Sequence, residues 1–140
     1  MRETRSILET GLRHSERLLV EDRHTVPRIV ADWSGFADMP PVLATAMLIG
    51  FIEHTCVLGL RGLLTPEQRT VGTHVDISHV APTPVGRTVT AAVELVRIDG
   101  NALLFNVTCH DDSGLVSEGT HRRAIIDMAR FCKRLKTEGT

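Results

Sequence analysis

Thr45, Glu53 and His79 are the residue types and positions from which acid–base or nucleophilic chemistry could be built. Thr45 and Glu53 lie inside the most hydrophobic segment of the chain, Val42 to Leu60, and His79 closes a later strand-like run just before Pro82 and Gly86. An ionised carboxylate in an apolar helix carries a large desolvation cost unless it is paired or hydrogen-bonded. Glu53 therefore reads as a general base or as a stabiliser of developing positive charge, because perturbed carboxylates cluster at active sites. Its plain alternative is a solvated Glu on the one polar edge of the helix, beside His54 and Thr55. His79 could orient a hydroxyl or move a proton near neutral pH. Its alternative is a strand-end histidine bonded to its own loop, and six other histidines compete with it. Thr45 near a helix start is most often an N-cap or a packing residue.

Geometry limits how these three cooperate. Eight residues of continuous helix separate Thr45 from Glu53 by about 12 Å along the axis, beyond a direct hydrogen bond. Either Thr45 precedes the helix proper, or a substrate spans the gap, or the two come from different subunits; the spacing leaves all three open. A buried charge at Glu53 also implies that Glu53→Gln leaves stability level or raises it.

The elements that must position these groups follow from hydrophobic patterning. Val42–Leu60 is rich in Ala, Leu and Met, is too long for a typical strand, and is apolar all round, which predicts a helix buried on most sides and ended by Arg61-Gly62. Residues 1–12 are polar, and either a short helix or a frayed end suits them. Arg13 to Ile29 is weakly strand-like. Ala31 to Pro41 reads as a loop, and it carries Trp33, Phe36 and Met39, three large apolar residues expected over a cavity or interface. Leu63 to Arg69 reads as a polar loop. Val71–Val80, Thr88–Ile98, Ala102–His110 and Leu115–Met128 are strand candidates, with a hairpin at Asp99-Gly100 and a short helix over Ala129–Lys136. Val89, Ala91, Val93 and Leu95 share one face, as do Leu103, Phe105, Val107 and Cys109. A sheet can bury a helix that is apolar all round only by curling about it. The predicted class is α+β: a hot-dog fold, an antiparallel curled sheet wrapped around one long helix, as a single domain over 1–140. A small curled sheet leaves a long edge strand exposed, so a homodimer or a larger oligomer is expected.

Composition excludes several functions. Sixteen Lys and Arg against seventeen Asp and Glu give a net charge of −1, which argues against a globally basic nucleic-acid binder. With 4% aromatic residues and no Tyr, base-stacking platforms are not expected. Cys56, Cys109 and Cys132 form no CxxC pair, so neither a metal site nor a disulfide framework is indicated. Reduced thiols and a charged N-terminus without an apolar run point to a cytoplasmic protein. The greasy stretch Val42–Ile52 is about half the roughly 20 residues a membrane span needs.

The runs "ATAMLIGFIEHTC", "VGTHVDISHVAPTPVGRTVT" and "GTHRRAII" resemble thioesterases of the fluoroacetyl-CoA thioesterase type, within the hot-dog superfamily. The likeness covers roughly residues 12–135, and the Thr-x7-Glu spacing occurs in the right order with His-x-x-Pro-x-x-x-Gly. It implies hydrolysis of a small acyl-CoA thioester with no cofactor. It further implies Thr45, Glu53 and His79 as the catalytic set, with Gly72 near the thioester and Arg123 as a substrate contact. Phe36 matches one phenylalanine of that family's pocket cap, while Met39 stands where a second would be. Met is more adaptable than Phe, which leaves the acyl group open.

The C-terminal residues Arg122, Arg123, Arg130, Lys133, Arg134 and Lys136 read either as a docking surface for coenzyme A phosphates or as a solvated basic end. Two other functions suit the same fold. One is a non-catalytic acyl-CoA-binding module, which has no need to bury Glu53. The other is a hot-dog hydratase or dehydratase working with a His and an acidic residue. Steady release of free thiol from acyl-CoA separates hydrolysis from both.

Overall fold

The computed structural model describes residues 7–138. The first six residues, on which the reading of the N-terminal end partly rested, lie outside them. Five strands form one antiparallel sheet: β1 (Arg13–Leu19), β2 (Gln68–Ile77), β3 (Thr88–Asp99), β4 (Ala102–Asp111) and β5 (Gly114–Asp127), in the order β1-β3-β4-β5-β2. The helix α3 (Thr45–Gly59) lies against its inner face. This is the hot-dog arrangement that the patterning predicts.

The sheet forms because its inner face is apolar at every second residue. Val89, Ala91, Val93 and Leu95 of β3 are all buried, as are Leu103, Phe105, Val107 and Cys109 of β4. The β3–β4 turn pairs Asp99 with Ala102 across Gly100-Asn101, and Gly100 has the positive φ of 59° that such a tight hairpin demands. Leu48, Phe51, Ile52 and Cys56 of α3 enter the same core. Each fully buried Leu or Phe contributes roughly 1.5–3 kcal/mol, and this burial holds the helix in place.

Several expectations change, and β2 runs over Gln68–Ile77 rather than Val71–Val80. Helix α3 starts later than the apolar run, because Val42 and Leu43 are extended and bridge to Pro84 and Thr25. The weak strand reading over Arg13–Ile29 holds only to Leu19. Beyond it come a 3₁₀ turn (Asp22–His24) and the one-turn helix α1 (Val26–Ile29), with Pro27 near its start, where a missing N–H costs nothing. The segment Ala31–Pro41 is not all loop, since Ser34–Ala37 forms a further one-turn helix, α2. The last helix, α4 (Met128–Glu138), agrees with the short helix expected there.

Helix α3 is also less enclosed than its composition suggests. Ala46, Gly50, His54 and Val57 form an exposed stripe along it. The reason is simple: a single sheet layer covers one side of a helix, and among the described residues nothing covers the other. β2 is an edge strand of the same sheet, paired only with β5, and Gly72 to Asp76 are exposed along it.

Candidate active site

Thr45 opens α3, and its hydroxyl does not cap the helix. It shares a 2.7 Å hydrogen bond with His79 Nδ1, across 34 residues of sequence. The backbone explains how they meet. The strand-like segment before α3 is held on both sides: Leu43 N–H donates to Thr83 O at 2.8 Å, and Ala44 N–H donates to His24 O at 2.9 Å. The first of these bonds fixes the His79–Pro84 connection against the start of the helix. The Thr83 and Thr25 side chains that flank this junction are fully buried. By hydrogen-bond geometry His79 Nε2 is buried without a partner among the described residues, and the only main-chain group that favours a proton on the ring is that of Ala81. Burial holds the His79 pKa below the ordinary histidine value, so the ring is neutral at neutral pH. A neutral imidazole against a hydroxyl can take its proton or hold it in a fixed direction.

Glu53 belongs to a second cluster. Its Oε1 accepts a 3.0 Å bond from Arg123 Nη1. The guanidinium is held by three further contacts: Nε donates to Thr70 Oγ1 at 2.9 Å, Nη2 donates to Thr70 O at 3.0 Å, and Nη1 lies 3.1 Å from His121 Nε2. Arg123 and His121 are buried, whereas the Glu53 side chain keeps 39% of its exposure. Glu53 is therefore a half-exposed carboxylate paired with a buried cation, not the enclosed charge its sequence context suggests. Gly72 makes room for it. A Cβ on Gly72 would fall inside the contact radius of Glu53 Oε1 and 3.3 Å from both Arg123 Nη1 and His121 Cε1. A β-bulge between Gly72 and His74 marks the same spot.

Thr45 and Glu53 lie in one continuous helix, so the alternative that Thr45 precedes the helix does not hold. The eight residues between them span about 12 Å. Within one chain the structure thus brings Thr45 to His79, and Glu53 to Arg123 beneath Gly72, as two separate clusters. His121 and Thr70 were not singled out from the sequence. The available signal was strand parity: on β5, His121 and Arg123 share the inward face with Ile125, and polar residues on an inward face call for partners.

Phe36 is half-buried and meets Trp33 edge to face, with ring centroids 5.4 Å apart. Met39 is 47% exposed and borders a cleft of about 430 Å³ shared with Pro27, Arg28 and Pro41. Of the C-terminal basic residues, Arg123 is buried and engaged with Glu53, so it is no part of an exposed basic surface. Arg122, Arg130, Lys133, Arg134 and Lys136 are exposed.

His24, His79 and His121 are all held below the ordinary histidine value, with burial the first cause in each. Below about pH 6.5 the unfolded chain takes up protons that the folded chain refuses. The stability these groups provide is fully present above that value and is lost as the pH falls through their lower folded values. Thermal melts are expected to show a falling Tm between about pH 7 and about pH 5, above most carboxylate titration. A flat Tm across that interval would mean that the three rings protonate freely in the fold.

A family model described as fluoroacetyl-CoA-specific thioesterase matches residues 20–129. The fluoroacetyl-CoA thioesterase of Streptantibioticus cattleyicolor is 32% identical over 129 residues, 92% of this chain and 93% of that protein. The solved structure of the fluoroacetyl-CoA thioesterase FlK superposes with a TM-score of 0.92 at 30% identity, covering 96% of this chain and 100% of that one. A mutant of that enzyme in complex with acetyl-CoA gives 0.91 at 30% identity, covering 95% and 100%. A hot-dog-like protein from Thermanaerovibrio acidaminovorans shares the fold at 21% identity, with a TM-score of 0.80 over 94% of this chain and 93% of that one. No helix among the described residues is long and apolar enough to cross a membrane.

Proposed function

The chain belongs to the fluoroacetyl-CoA-specific thioesterase family and is an acyl-CoA thioesterase; from that premise we propose that it hydrolyses a small acyl-CoA at a site shared by two subunits. In this reading the Thr45–His79 pair of one protomer faces Glu53 of its partner. The observation that carries the reading is the separation of the two clusters along one helix: one thioester carbonyl cannot touch both ends of a 12 Å interval, estimated at about 1.5 Å per residue. A second chain added at the β2 edge and across the exposed stripe of α3 removes the difficulty. It also covers Val75 and Val57, which are otherwise 41% and 39% exposed.

Hydrolysis joins water to the acyl carbon and breaks the carbon–sulfur bond, releasing the acid and coenzyme A. Glu53 acts at the acyl carbon as base or nucleophile through Oε2, since Oε1 is the oxygen engaged by Arg123. Thr45 and His79, which share a hydrogen bond, pass the proton given up by the attacking water to the departing thiolate. Backbone amides at the β-bulge beside Gly72 supply donors for the oxyanion. Phe36 and Met39 contact the acyl group, a role supported by their place on the segment leading into Thr45. The whole chain acts as one domain, without a cofactor. A cytoplasmic setting is supported by three free thiols, Cys56, Cys109 and Cys132.

Subunit mixing tests the shared site. Thr45→Ala and Glu53→Gln are each expected to be nearly inactive. Co-refolded in equal amounts, half of the dimers pair the two variants, and each of these carries one intact site. About a quarter of wild-type thiol release should return, by the symmetry of a two-fold dimer. No recovery from the mixture, or sedimentation as monomer alone at micromolar concentration, would overturn the shared site. Release of no more than one thiol per site from a series of short acyl-CoA substrates would overturn turnover by this site.

A further inference from the structure

We infer that His121 is a positioning residue for this reaction: its neutral ring holds the Arg123 guanidinium at the place where Arg123 meets Glu53. The inference rests on Glu53 being a reacting group, as proposed above.

His121 is 1% exposed and carries hydrogen bonds at both ring nitrogens. Nδ1 lies 2.8 Å from the main-chain oxygen of His74 on β2. A carbonyl oxygen only accepts, so Nδ1 carries the proton. In a neutral ring Nε2 is then an acceptor, and it receives Arg123 Nη1 at 3.1 Å. The same Nη1 donates to Glu53 Oε1 at 3.0 Å. One guanidinium nitrogen is thus aimed by an imidazole at one side and meets the carboxylate at the other.

The surroundings favour this protonation state. The charged and titratable groups facing the ring are Arg123 on β5, Glu53 on α3 and His74 on β2. Burial and the Arg123 charge disfavour a second proton, and His74 adds to them. The main-chain bond to His74 and the Glu53 charge pull the other way, and the net shift is downward. A protonated ring would set an N–H of its own against Nη1–H, replacing the hydrogen bond by repulsion between like charges.

Arg123 has no other freedom. Thr70 fixes Nε and Nη2, His121 fixes Nη1, and the fork geometry of guanidinium makes the three contacts a rigid frame. Glu53, in contrast, is a half-exposed side chain that could swing away. A preset cation is what keeps its carboxylate under Gly72. Small errors in the placement of a reacting group cost rate far more than they cost stability.

Two substitutions separate positioning from simple structural support. His121→Asn keeps a donor near the Nδ1 position for His74 O but has nothing that reaches Arg123. His121→Gln extends a carbonyl oxygen to the former Nε2 position and can accept from Nη1. We expect His121→Asn to lower kcat by roughly 10-fold or more with a smaller change in KM, as for loss of placement in the transition state. His121→Gln should recover several-fold of that loss. Thermal melts of both variants, read beside the kinetics, report folding independently. Equal kcat for the two variants at equal Tm, or full kcat in His121→Asn, overturns the inference. Glu53→Gln is measured in the same assay. If it turns over normally, the reading of Glu53 and this inference fall together. If it is inactive while His121→Asn is unimpaired, only the inference falls.

Discussion

Glu53→Gln is expected to lower the turnover number by roughly 10²-fold or more, the usual scale for losing a base or nucleophile. Size and hydrogen-bonding reach are kept, so a non-hydrolysable acyl-CoA analogue should bind nearly as before, because the loss lies in the transition state. The expected effect on stability reverses once the structure is known. The sequence suggests an isolated buried charge whose removal is neutral or helpful. In the fold, the buried member of the pair is Arg123, and Glu53 is its only carboxylate partner among the described residues. Removing that partner leaves the guanidinium with neutral acceptors from Thr70 and His121. Loss of a partner in a fully buried pair costs about 3–5 kcal/mol. Glu53 is more than a third exposed, so solvent screening reduces this to about 1 kcal/mol. A small drop in Tm together with a large drop in kcat is therefore the expected result. Near-normal kcat would make Glu53 a structural ion-pair partner of Arg123 and nothing more.

Gly72→Ala should produce a loss of similar size from a single methyl group. Gly72 does not have a positive φ, so its backbone is open to any residue and the demand for glycine is steric. The added Cβ would occupy space now held by Glu53 Oε1. The atom it displaces is the end of a flexible, half-exposed side chain, so the fold can yield by moving it. The carboxylate then leaves its place beside Arg123. Misplacing a reacting group by about 1 Å can cost about 10²-fold in rate. We expect kcat/KM to fall by about that factor, with Tm changed by only a few degrees, a shift that corresponds to less than about 1 kcal/mol for a domain of this size. Steady-state thiol release and a thermal melt on the same preparation decide the matter. Unchanged kcat/KM would show that the carboxylate need not lie under Gly72. A collapse of Tm would assign Gly72 to packing of the edge strand.

The two variants reach the same carboxylate by different routes, one by removing its charge and the other by moving it. Both leave the buried Arg123 guanidinium without its carboxylate, so both should lower Tm by a similar small amount. A large loss of activity with a small and similar drop in Tm is the joint signature.

The long helix and the strands of the meander were legible in the sequence because each is specified locally. Alternating apolar residues in Thr88–Ile98 and Ala102–His110 fix which face of β3 and β4 is buried, since a one-residue slip would turn every side chain the other way. Asp99-Gly100 fixes the turn between them. The run from Val42 onward specifies a helix by its residue types, and a helix apolar all round implies a sheet curled about it. Thr45, Glu53 and His79 were legible as candidates because polar residues within or just beyond such runs need a reason to be there. Where local signals conflict, only the fold decides. Val42 and Leu43 favour helix in context, yet they bridge to Pro84 and Thr25 on either side, so tertiary pairing outweighs propensity. The partners of the polar residues were likewise not legible. Arg123 stands 70 residues from Glu53, His79 stands 34 from Thr45, and His121 reaches main chain 47 residues away. No spacing rule of helix or strand connects positions so distant; sheet order and register bring them together. The sequence by itself determined the buried faces of β3 and β4 and the helical character of the run that forms α3, and it put forward Thr45, Glu53 and His79 as candidates. The tertiary structure alone decided that Glu53 answers to a buried arginine and that Thr45 meets His79, because both depend on where β5 and the His79–Pro84 connection lie against α3.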